Sequence, residues 1–423
     1  MRRGPSVTAS WLNISGPAMT YDAIIIGGGP AGSTTGLLLA RAGWSVALVE
    51  RQRFPRAKVC GEFVSAPSLQ LLHELGIGES LVQSAGPEVR RLGLFVGGKR
   101  VVTEMPHAHT PGYRLGRAVP RERLDLLLLT EAAKAGAEIW QPWSLAEVSK
   151  KNNSFYCTIR SKESSEADRL SSRLVIAAQG SFGHRSPLQQ GELSPRASDL
   201  FAFKARFRNC DLSPDVMPLV MFPGGYGGMV YTDQDRTSFS FCIRRNILEQ
   251  CRHRWPDRKA AEAAFAYIRQ SSAVVSQVLA QASLDGQWYS MGPLRPGVRT
   301  CGHGGIFFVG NAAGEAHPII ADGINMAIQS AWILCQFLVR TAPSEMGDQT
   351  LTIIRRLYAK QWMREFGSRI RSGSLFATIA MGSKSMWGGL LCERLPRLLK
   401  LGAILSGKTR SISAPINSLP LKF

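Results

Sequence analysis

Residues 21–51 read YDAIIIGGGPAGSTTGLLLARAGWSVALVER, and this stretch decides the fold of the amino-terminal region. Residues 23–26 form a short apolar run that is typical of a buried parallel strand. Gly27, Gly29 and Gly32 then give the pattern G-x-G-x-x-G at the point where a helix begins. The N-terminus of such a helix offers free N–H groups and a positive dipole end to phosphates. The stretch therefore predicts a strand-helix-strand unit that binds a dinucleotide.

Glu50 lies about twenty residues beyond this turn, where a carboxylate accepts hydrogen bonds from the ribose hydroxyls of adenosine. A glutamate at this position argues against a 2′-phosphate on the ribose. Arg51 follows directly, and we assign it to the same cofactor site. The turn alone leaves FAD and NAD both open.

Composition and charge limit the classes of protein to which this chain could belong. The chain has 423 residues, which suits two or more connected domains. Its 51 lysines and arginines against 31 acidic residues give a net charge of +20, which attracts anionic partners. The sequence has no zinc-finger or RNA-recognition pattern, so nucleic acid is the least favoured partner. A membrane surface or an anionic substrate ranks above nucleic acid, and a generally basic surface without a specific partner ranks above both.

No apolar run of the sequence predicts a membrane span. The two best, residues 328–339 and 373–392, are interrupted by Gln336 and Lys384, so neither gives the ~18 uninterrupted apolar residues that a span needs. The first twenty residues lack the apolar region of a secretory signal and predict a disordered extension, with Met19 as an alternative translation start. Eight cysteines without a C-x-x-C pair predict reduced thiols, no metal site and a cytoplasmic location.

Periodic patterns predict helices and strands along the rest of the chain. The predicted elements are a helix at 65–75 ending at Gly76, a hairpin at 92–102 around Gly97 and Gly98, a helix at 121–135, a polar turn at 161–172, a strand at 174–178, a linker at 184–199, strands at 201–208, 228–231, 237–243 and 306–309, and a helical segment at 260–282. Residues 201–208, FAFKARFR, alternate almost perfectly, which predicts one buried face and one basic face exposed to water.

These elements predict an α/β protein. A Rossmann-type cofactor-binding domain carries an inserted β-sheet substrate domain and is followed by a helical C-terminal region. We assign residues 21–90, 116–199 and 290–345 to the discontinuous cofactor-binding domain, 91–115 and 200–289 to the substrate domain, and 346–423 to the helical region.

A second stretch, GNAAGEAHPIIADGINMAIQSAW, begins directly after the predicted strand 306–309. Five of its residues belong to the predicted cofactor site: Gly310, Asn311, Pro318, Gly323 and Asn325. An NAD-only Rossmann domain needs no such element. Together with residues 27–50, the stretch resembles the two FAD fingerprints of the para-hydroxybenzoate hydroxylase superfamily, whose later motif reads G-D-x-x-x…P-x-x-x-x-G-x-N.

Two shorter segments extend this resemblance. Arg121 opens the segment RERLD, which resembles the family's R-x-x-[FL]-D, and residues 174–180 resemble its strand ending in A-D-G. Two positions depart from the family, because Asn311 and Gln179 stand where it has aspartates. Asn311 can still hydrogen-bond a ribityl hydroxyl. Gln179 leaves the contact to a nicotinamide electron donor open.

Residues 54–62, FPRAKVCGE, resemble the subgroup that contains geranylgeranyl reductases and UbiH-like oxidoreductases. The resemblance implies FAD in an extended pose, with the first motif on its ADP half and the second on its ribityl and pyrophosphate groups. The helix after Gly323 would then direct its N-terminus toward the flavin. A positive dipole end there stabilises the negative charge of a reduced flavin.

The same resemblance places Cys60 and Glu62 near the flavin ring, with Glu62 as a proton donor or substrate anchor. The alternative is that Cys60 packs as a small apolar group and Glu62 pairs with an arginine. His317 is a candidate for proton transfer near neutral pH or, equally, for capping the following helix. Tyr226, within FPGGYGGMVY, is expected to line the substrate pocket, although the neighbouring glycines also suit a simple bulge or turn.

Three hypotheses for function follow. The first is a NAD(P)H-dependent, FAD-dependent monooxygenase that hydroxylates a lipophilic or aromatic, polyketide- or quinone-like substrate. The second is a flavin-dependent reductase that saturates prenyl double bonds, which residues 60–62 favour. The third is a non-catalytic basic protein that uses a degenerate FAD fold to bind anionic surfaces.

The C-terminal tail combines leucines with basic residues. The leucines that gather on one helical side are Leu391, Leu395, Leu398, Leu399 and Leu405. This pattern suits peripheral contact with an anionic membrane, while packing of the tail on the catalytic body is the favoured alternative. Pro396 interrupts the helical register unless it lies at a helix start.

Overall fold

The structure is a computed structural model that describes residues 18–181, 187–188, 194–233, 235–382, 396–410 and 412. Most of the predicted extension 1–20 and half of the predicted linker 184–199 lie outside these residues, as do Leu391 and Leu395. The described helices are α1 (Pro30–Arg41), α2 (Ala66–Glu74), α3 (Gly78–Gln83), α4 (Arg121–Lys134), α5 (Arg245–Arg254), α6 (Ala260–Ser271), α7 (Ala273–Val278), α8 (Gly323–Leu338), α9 (Asp348–Ala380) and α10 (Pro396–Leu405).

The strands are numbered in chain order. The first ten are β1 (Met19–Ile26), β2 (Val46–Val49), β3 (Phe63–Val64), β4 (Arg91–Val96), β5 (Lys99–Glu104), β6 (Arg117–Ala118), β7 (Glu138–Trp140), β8 (Trp143–Lys151), β9 (Ser154–Ser161) and β10 (Ala167–Ala177). The others are β11 (Leu200–Arg208), β12 (Val216–Phe222), β13 (Gly225–Tyr231), β14 (Thr237–Arg244), β15 (Ser283–Leu294), β16 (Gly297–Val298), β17 (Gly302–His303), β18 (Ile306–Phe308) and β19 (Gly314–Glu315).

The first sheet carries both glycine motifs. Its order is β17-β18-β10-β1-β2-β7, and the hairpin β8-β9 joins it through β10. β1 pairs in parallel with β2 and β10, and β10 pairs in parallel with β18. α1 packs against α4 and α8, and fully buried strand residues such as Ile24, Leu48 and Val175 belong to the same core. The parallel order brings the C-terminal ends of β1, β10 and β18 together, and with them the residues that follow each strand.

β1 and β10 begin earlier than the sequence predicts. β1 starts at Met19, and β10 starts at Ala167, inside the polar run that the sequence analysis interprets as a turn. The reason is strand pairing, because β10 lies between β9 and β1. The buried Ser172 satisfies its hydroxyl by donating to the Leu174 carbonyl at 2.7 Å. Pairing thus overrides polar composition here.

The second sheet has the order β15-β11-β14-β13-β12-β4-β5 and is antiparallel except between β4 and β12. It contains the predicted hairpin as β4 and β5. Phe203, Phe239 and Phe241 of this sheet share a core with Ala264 and Ile268 of α6. The predicted inserted β-sheet region is therefore present.

β11 departs from its prediction in one respect. The sequence assigns the basic residues of this strand to a face exposed to water, but Lys204 is only 2% exposed and Arg206 is half-buried. Both side chains contact Glu62, which precedes β3. The predicted alternation is confirmed, but only Arg208 of the three basic residues is exposed, because Lys204 and Arg206 contact a buried carboxylate.

α9 and α10 form the C-terminal region. α9 packs along α8, and α10 contacts both β5 and α9. In the part of the chain that the structure describes, α10 spans Pro396–Leu405. None of the described helices is both long and apolar enough to cross a membrane. The cytoplasmic location stays a prediction.

Candidate functional site

The glycine turn between β1 and α1 has the close packing that phosphate binding requires. Gly29 precedes Pro30, the first residue of α1, so the helix N-terminus faces the turn. Gly27 has a φ of +109°, and a Cβ built on Gly32 would lie 1.8 Å from the Gly27 carbonyl oxygen. A side chain at either position is therefore excluded.

Glu50 lies at the end of β2 beside this turn and is buried. Its Oε2 accepts from the Gly28 N–H at 2.8 Å, and its Oε1 accepts from the Gln52 N–H at 2.9 Å. These bonds fix the carboxylate at the predicted position of the ribose contact. Arg51 is exposed, and its contact to the cofactor stays a prediction.

Three cations converge on the turn: Arg56, Lys58 and Arg121. A Cβ built on Gly29 would lie 3.8 Å from Arg56 Nη2 and 3.9 Å from Arg121 Nη2. A Cβ built on Gly180, at the end of the neighbouring β10, would lie 3.4 Å from Lys58 Nζ. The three side chains thus surround the place where the first motif would hold a pyrophosphate.

Positive charge exceeds negative charge in this cluster. Asp125 pairs with Arg56 at 3.4 Å and with Arg121 at 2.7 Å, and Glu50 lies 3.9 Å from Arg56. Burial, followed by the two arginine charges, lowers the pKa of Lys58 to about 8. Arg56 Nε is buried without a hydrogen-bond partner. A pyrophosphate would supply the missing acceptor and the missing negative charge, so these residues fit the ADP half of FAD.

Asn311 builds the second motif together with Glu315. Asn311 Nδ2 donates to Ser181 Oγ at 3.0 Å and to Glu315 Oε1 at 3.3 Å. Glu315 is buried and pairs with Arg299 at 2.9 Å. A carboxylate therefore remains in this motif, although the resembled family has its aspartate at the position of Asn311.

The N-terminus of α8 lies beside the second motif. The Gly310 N–H donates to Ser330 Oγ of this helix at 2.7 Å. Pro318 opens a short 3-10 turn, and α8 begins at Gly323, where an added Cβ would meet no atom within 4 Å. Asn325 is fully buried, and its Nδ2 has no hydrogen-bond partner. An open helix N-terminus with a spare buried donor fits the flavin half of FAD.

A second buried charge cluster lies at the start of α8. Arg369 Nη1 is 3.2 Å from Asp322 Oδ2, and Lys408 Nζ donates to the Ile320 carbonyl at 2.5 Å. Burial raises the pKa of Asp322, against the opposing effect of the two cations. Burial also lowers the pKa of Lys408 to about 8. With FAD bound in the pose that the motifs imply, these cations would add to the helix dipole in stabilising the negative charge of a reduced flavin.

One cavity of about 570 Å³ connects the two motifs. Gly29, Arg121, Gly310 and Gly323 line one part of it. The cavity continues to an apolar wall from the second sheet, formed by Leu94, Met217, Leu219, Met221 and Met291. Cofactor motifs and an apolar substrate compartment therefore share a single space.

Glu62 lies at the junction of these two parts. It is fully buried, and its Oε1 accepts from the Arg121 N–H at 3.1 Å. The same oxygen lies 2.5 Å from Lys204 Nζ and 3.0 Å from Arg206 Nη2, which also pairs with Glu122. Burial alone would raise the pKa of Glu62, but the Lys204 and Arg206 charges outweigh it and hold the pKa below its ordinary value. Glu62 is therefore an ionised anchor, and the proton-donor role expected from the sequence does not fit.

Cys60 lines the cavity next to this junction and is half-buried. Its Sγ accepts from the Glu62 N–H at 3.4 Å and packs against the apolar core of the first sheet. This environment agrees with the alternative in which Cys60 is a packing residue.

Tyr226 and His317 form a buried pair. Tyr226 Oη and His317 Nδ1 lie 2.6 Å apart, and Tyr226 lines the cavity. Burial, aided by Cys242, raises the pKa of Tyr226 well above its ordinary value. Burial, followed by the Arg244 charge, lowers the pKa of His317 to about 4. The imidazole is therefore neutral at physiological pH, which corrects the expectation that His317 titrates near neutrality, and its side chain caps no helix.

The low pKa of His317 predicts a pH-dependent stability. Because an unfolded histidine binds a proton near pH 6.5 and folded His317 near pH 4, lowering the pH through this interval favours unfolding, by up to about 3 kcal/mol. Above pH 6.5 both states are neutral at this residue and the effect is absent. His317→Gln should therefore lose less stability than the native protein between pH 6.5 and 4 in chemical denaturation. His109→Gln, at an exposed position, is the control and should keep the native pH dependence.

Several residues of the site escape the sequence analysis: Arg56, Lys58, Glu315, Arg369 and Lys408. Arg56 and Lys58 have a usable signal, since they form a basic pair soon after the ribose carboxylate. Glu315 also has a signal in the sequence, because it is a carboxylate four residues after Asn311, which stands where the resembled family has an aspartate. Lys408 has no such signal, because only the folding of the tail brings it to α8.

The comparisons with known proteins agree with this geometry. The sequence profile described as FAD binding domain matches residues 20–364. Digeranylgeranylglycerophospholipid reductase 2 of Methanothermobacter thermautotrophicus is 26% identical, over 95% of this chain and 96% of that protein. Menaquinone reductase of Mycobacterium tuberculosis is 34% identical over 28% of each chain.

The flavin-dependent brominase Bmp2 shares the fold, with a TM-score of 0.72, 17% identity and coverage of 92% of this chain and 94% of that one. The family match covers most of the chain, and both of the family's FAD motifs are built in this structure. The chain therefore belongs to the FAD binding domain family of the para-hydroxybenzoate hydroxylase-like superfamily and is an FAD-dependent oxidoreductase.

Proposed function

We propose that this flavoenzyme reduces carbon–carbon double bonds in a long lipophilic substrate, such as a prenyl chain. The observation that carries the proposal is the continuous cavity, which joins both FAD motifs to an extended apolar wall. The full-length likeness to a digeranylgeranylglycerophospholipid reductase supports the same reaction class. Family membership and the complete cofactor site lead us to set aside the non-catalytic hypothesis.

The apolar wall suits an aliphatic chain better than a polar substrate. Leu94, Met217, Leu219 and Met221 line the cavity and have side chains of carbon and sulfur only. Unbranched methionine side chains adapt to irregular apolar ligands. Burial of a prenyl chain against this wall stabilises binding by about 25 cal/mol for each Å² of apolar surface removed from water.

The Tyr226–His317 pair supplies a proton to the reaction. Reduced FAD supplies a hydride, and saturation of the double bond also needs one proton at the other carbon. When His317 carries its proton on Nδ1, that N–H donates to Tyr226 Oη and directs the tyrosine O–H away from His317, toward Cys242 and the cavity that Tyr226 and Cys242 both line. Tyr226 can then donate this proton to a substrate in the cavity. Glu62 is unsuited to this step because its carboxylate holds no proton.

NAD(P)H is the electron donor that we propose. Gln179 follows β10 at the edge where the cofactor motifs meet, and its Oε1 is buried without a hydrogen-bond partner. A carboxamide oxygen there can accept a hydrogen bond from a nicotinamide or its ribose. Rapid-mixing absorbance with NADH and NADPH separately tests the donor, and failure of both to bleach the flavin contradicts this part of the proposal.

Hydroxylation is the second candidate function. The observation that favours it is the same neutral His317, which can accept a phenolic proton through Tyr226 from an aromatic substrate. The substrate would then be lipophilic and polyketide- or quinone-like, and oxygen would be a co-substrate.

Product mass separates the two candidates. The FAD-loaded enzyme is turned over with a reductant, geranylgeranyl lipids and alkylated phenols, under nitrogen and under isotopically labelled oxygen. The proposed function predicts a gain of two hydrogens for each saturated bond, with or without oxygen. Incorporation of labelled oxygen into the product without saturation of any double bond would contradict the proposed reduction and support hydroxylation.

The apolar wall can be tested by one substitution. Leu219→Arg places a charge in the wall, and we expect kcat/KM for the lipophilic substrate to fall about 100-fold, because a charged group in an apolar site is costly to desolvate. The flavin content should stay native, since Leu219 lies on β12 of the second sheet and belongs to neither glycine turn. Leu284→Arg is the control, because Leu284 is 45% exposed and distant from the lining. Equal losses in both variants would contradict the assignment of the wall.

A further inference from the structure

An exposed apolar surface surrounds one end of the cavity. We call it the apolar rim, and its residues are Leu375, Ile379, Leu398, Leu401, Ile404 and Leu405. They belong to the end of α9 and to α10, and each is between 39% and 60% exposed. Ile379, Leu398, Leu401 and Leu405 also line the cavity. The rim is therefore the mouth of the substrate compartment. Its exposed apolar side chains lie together in one patch, unlike the single apolar residues that are common on protein surfaces.

The two helices of the rim are anchored to the protein by their opposite faces. Ala377 and Ala380 of α9 are buried in a core that includes Leu94. Ala403 of α10 is buried in a core with Phe63. The two alternatives for the tail are thus compatible, because α10 packs on the catalytic body and still presents an apolar face outward.

Along the two helices that carry the rim, the charges in the described residues nearest to it are of one sign. Residues 366–382 and 396–410 contain no aspartate or glutamate. Arg371 lies one turn before Leu375 on α9 and is exposed, as is Arg397 on α10. Basic residues near an anionic membrane contribute about 1 kcal/mol each. A second copy of the chain would bring the same positive charges together, so the charge pattern favours an anionic lipid surface over self-association.

We infer that the apolar rim docks on the surface of an anionic lipid bilayer, with the cavity mouth facing the acyl chains. The geometry is that of an interfacial helix pair, with apolar side chains entering the membrane and arginines contacting headgroups. The docking itself stands on the rim and its charges. The further consequence, that a lipophilic substrate passes from the bilayer into the cavity, rests on the proposed function.

Vesicle co-sedimentation of the FAD-loaded protein tests the docking, with vesicles of phosphatidylglycerol and phosphatidylcholine or of phosphatidylcholine alone. We expect binding to the anionic vesicles that weakens at high salt. The double variant Leu401→Glu/Ile404→Glu should bind at least about 10-fold more weakly, because two apolar side chains that would be buried in the membrane are replaced by charged ones. The control is Ile353→Glu/Leu357→Glu, which alters equally exposed residues of α9, about 30 Å along this helix from its rim residues Leu375 and Ile379, and should bind within twofold of native.

Three results would overturn the inference. The first is native protein that does not bind the anionic vesicles, and the second is a rim variant that binds as well as its control. The third is a native dimer, found by light scattering, that the rim variant abolishes while vesicle binding is unchanged. Flavin absorbance and far-ultraviolet circular dichroism establish that each variant is folded. Normal docking combined with absent turnover would contradict the proposed function and leave the docking intact.

Discussion

Gly32→Ala is expected to give a protein that does not retain FAD. A Cβ at this position would lie 1.8 Å from the Gly27 carbonyl oxygen and 3.1 Å from Ala178 Cβ, and neither atom belongs to a flexible side chain that could move away. The turn must open, which displaces the N–H groups at the start of α1 from the phosphate position. Overpacking costs about 1–3 kcal/mol even where side chains can move, so we expect FAD affinity to fall about 100-fold.

The flavin-to-protein absorbance ratio of the purified variant, and FAD titration of the apoprotein, measure this effect. Gly98→Ala is the matched control, because a Cβ there would meet no atom within 4 Å and its φ is not positive. We expect the control to be yellow and the variant colourless. Native FAD content in Gly32→Ala would contradict the assignment of the glycine turn as the cofactor cradle.

Glu62→Leu is expected to destabilise the fold strongly. Its carboxylate is the partner of Lys204, which is 2% exposed, and of Arg206. Removal of one member of a buried ion pair leaves the other charges uncompensated and costs about 3–5 kcal/mol. Lys204 and Arg206 belong to the second sheet, and Glu62 belongs to the loop before β3. Loss of the Glu62 carboxylate should therefore also weaken the contact between this loop and the second sheet.

Chemical denaturation measures the loss for Glu62→Leu. Glu122→Gln is the control, because Glu122 also pairs with Arg206 but its side chain is 23% exposed, and it should cost less than about 1 kcal/mol. Replacing Lys204 by methionine in the Glu62→Leu background should restore part of the stability, since fewer unpaired charges remain buried. A Glu62→Leu protein as stable as the control would show that the ion cluster does not hold the junction together.

The local elements of the fold could be predicted from the sequence. β1, α1 and β2 follow from the apolar runs and the glycine spacing, because each depends on residues close together in the chain. α8 follows in the same way from the stretch after Gly310. β11, β13 and β14 of the second sheet were predicted from short β-like runs, whereas β12 and β15 were not.

Long-range partners could not be predicted in this way. The pattern FAFKARFR cannot distinguish a basic face in water from one that meets Glu62, because the carboxylate lies far away in sequence. The same reason hides Lys408, which reaches the start of α8 only when the tail folds back. The pKa of His317 depends on burial beside Tyr226, which a lone histidine in a loop does not reveal.

The most direct test of the central claim is anaerobic oxidation of the reduced flavoenzyme by its substrate. The FAD-loaded protein is reduced chemically under nitrogen and mixed with a geranylgeranyl lipid in anionic detergent micelles, while the yellow absorbance band is followed. The proposed function predicts that this band returns without oxygen, at a rate that depends on lipid concentration and falls in Leu219→Arg. A band that stays bleached until oxygen is admitted would contradict the claim that this enzyme reduces its substrate.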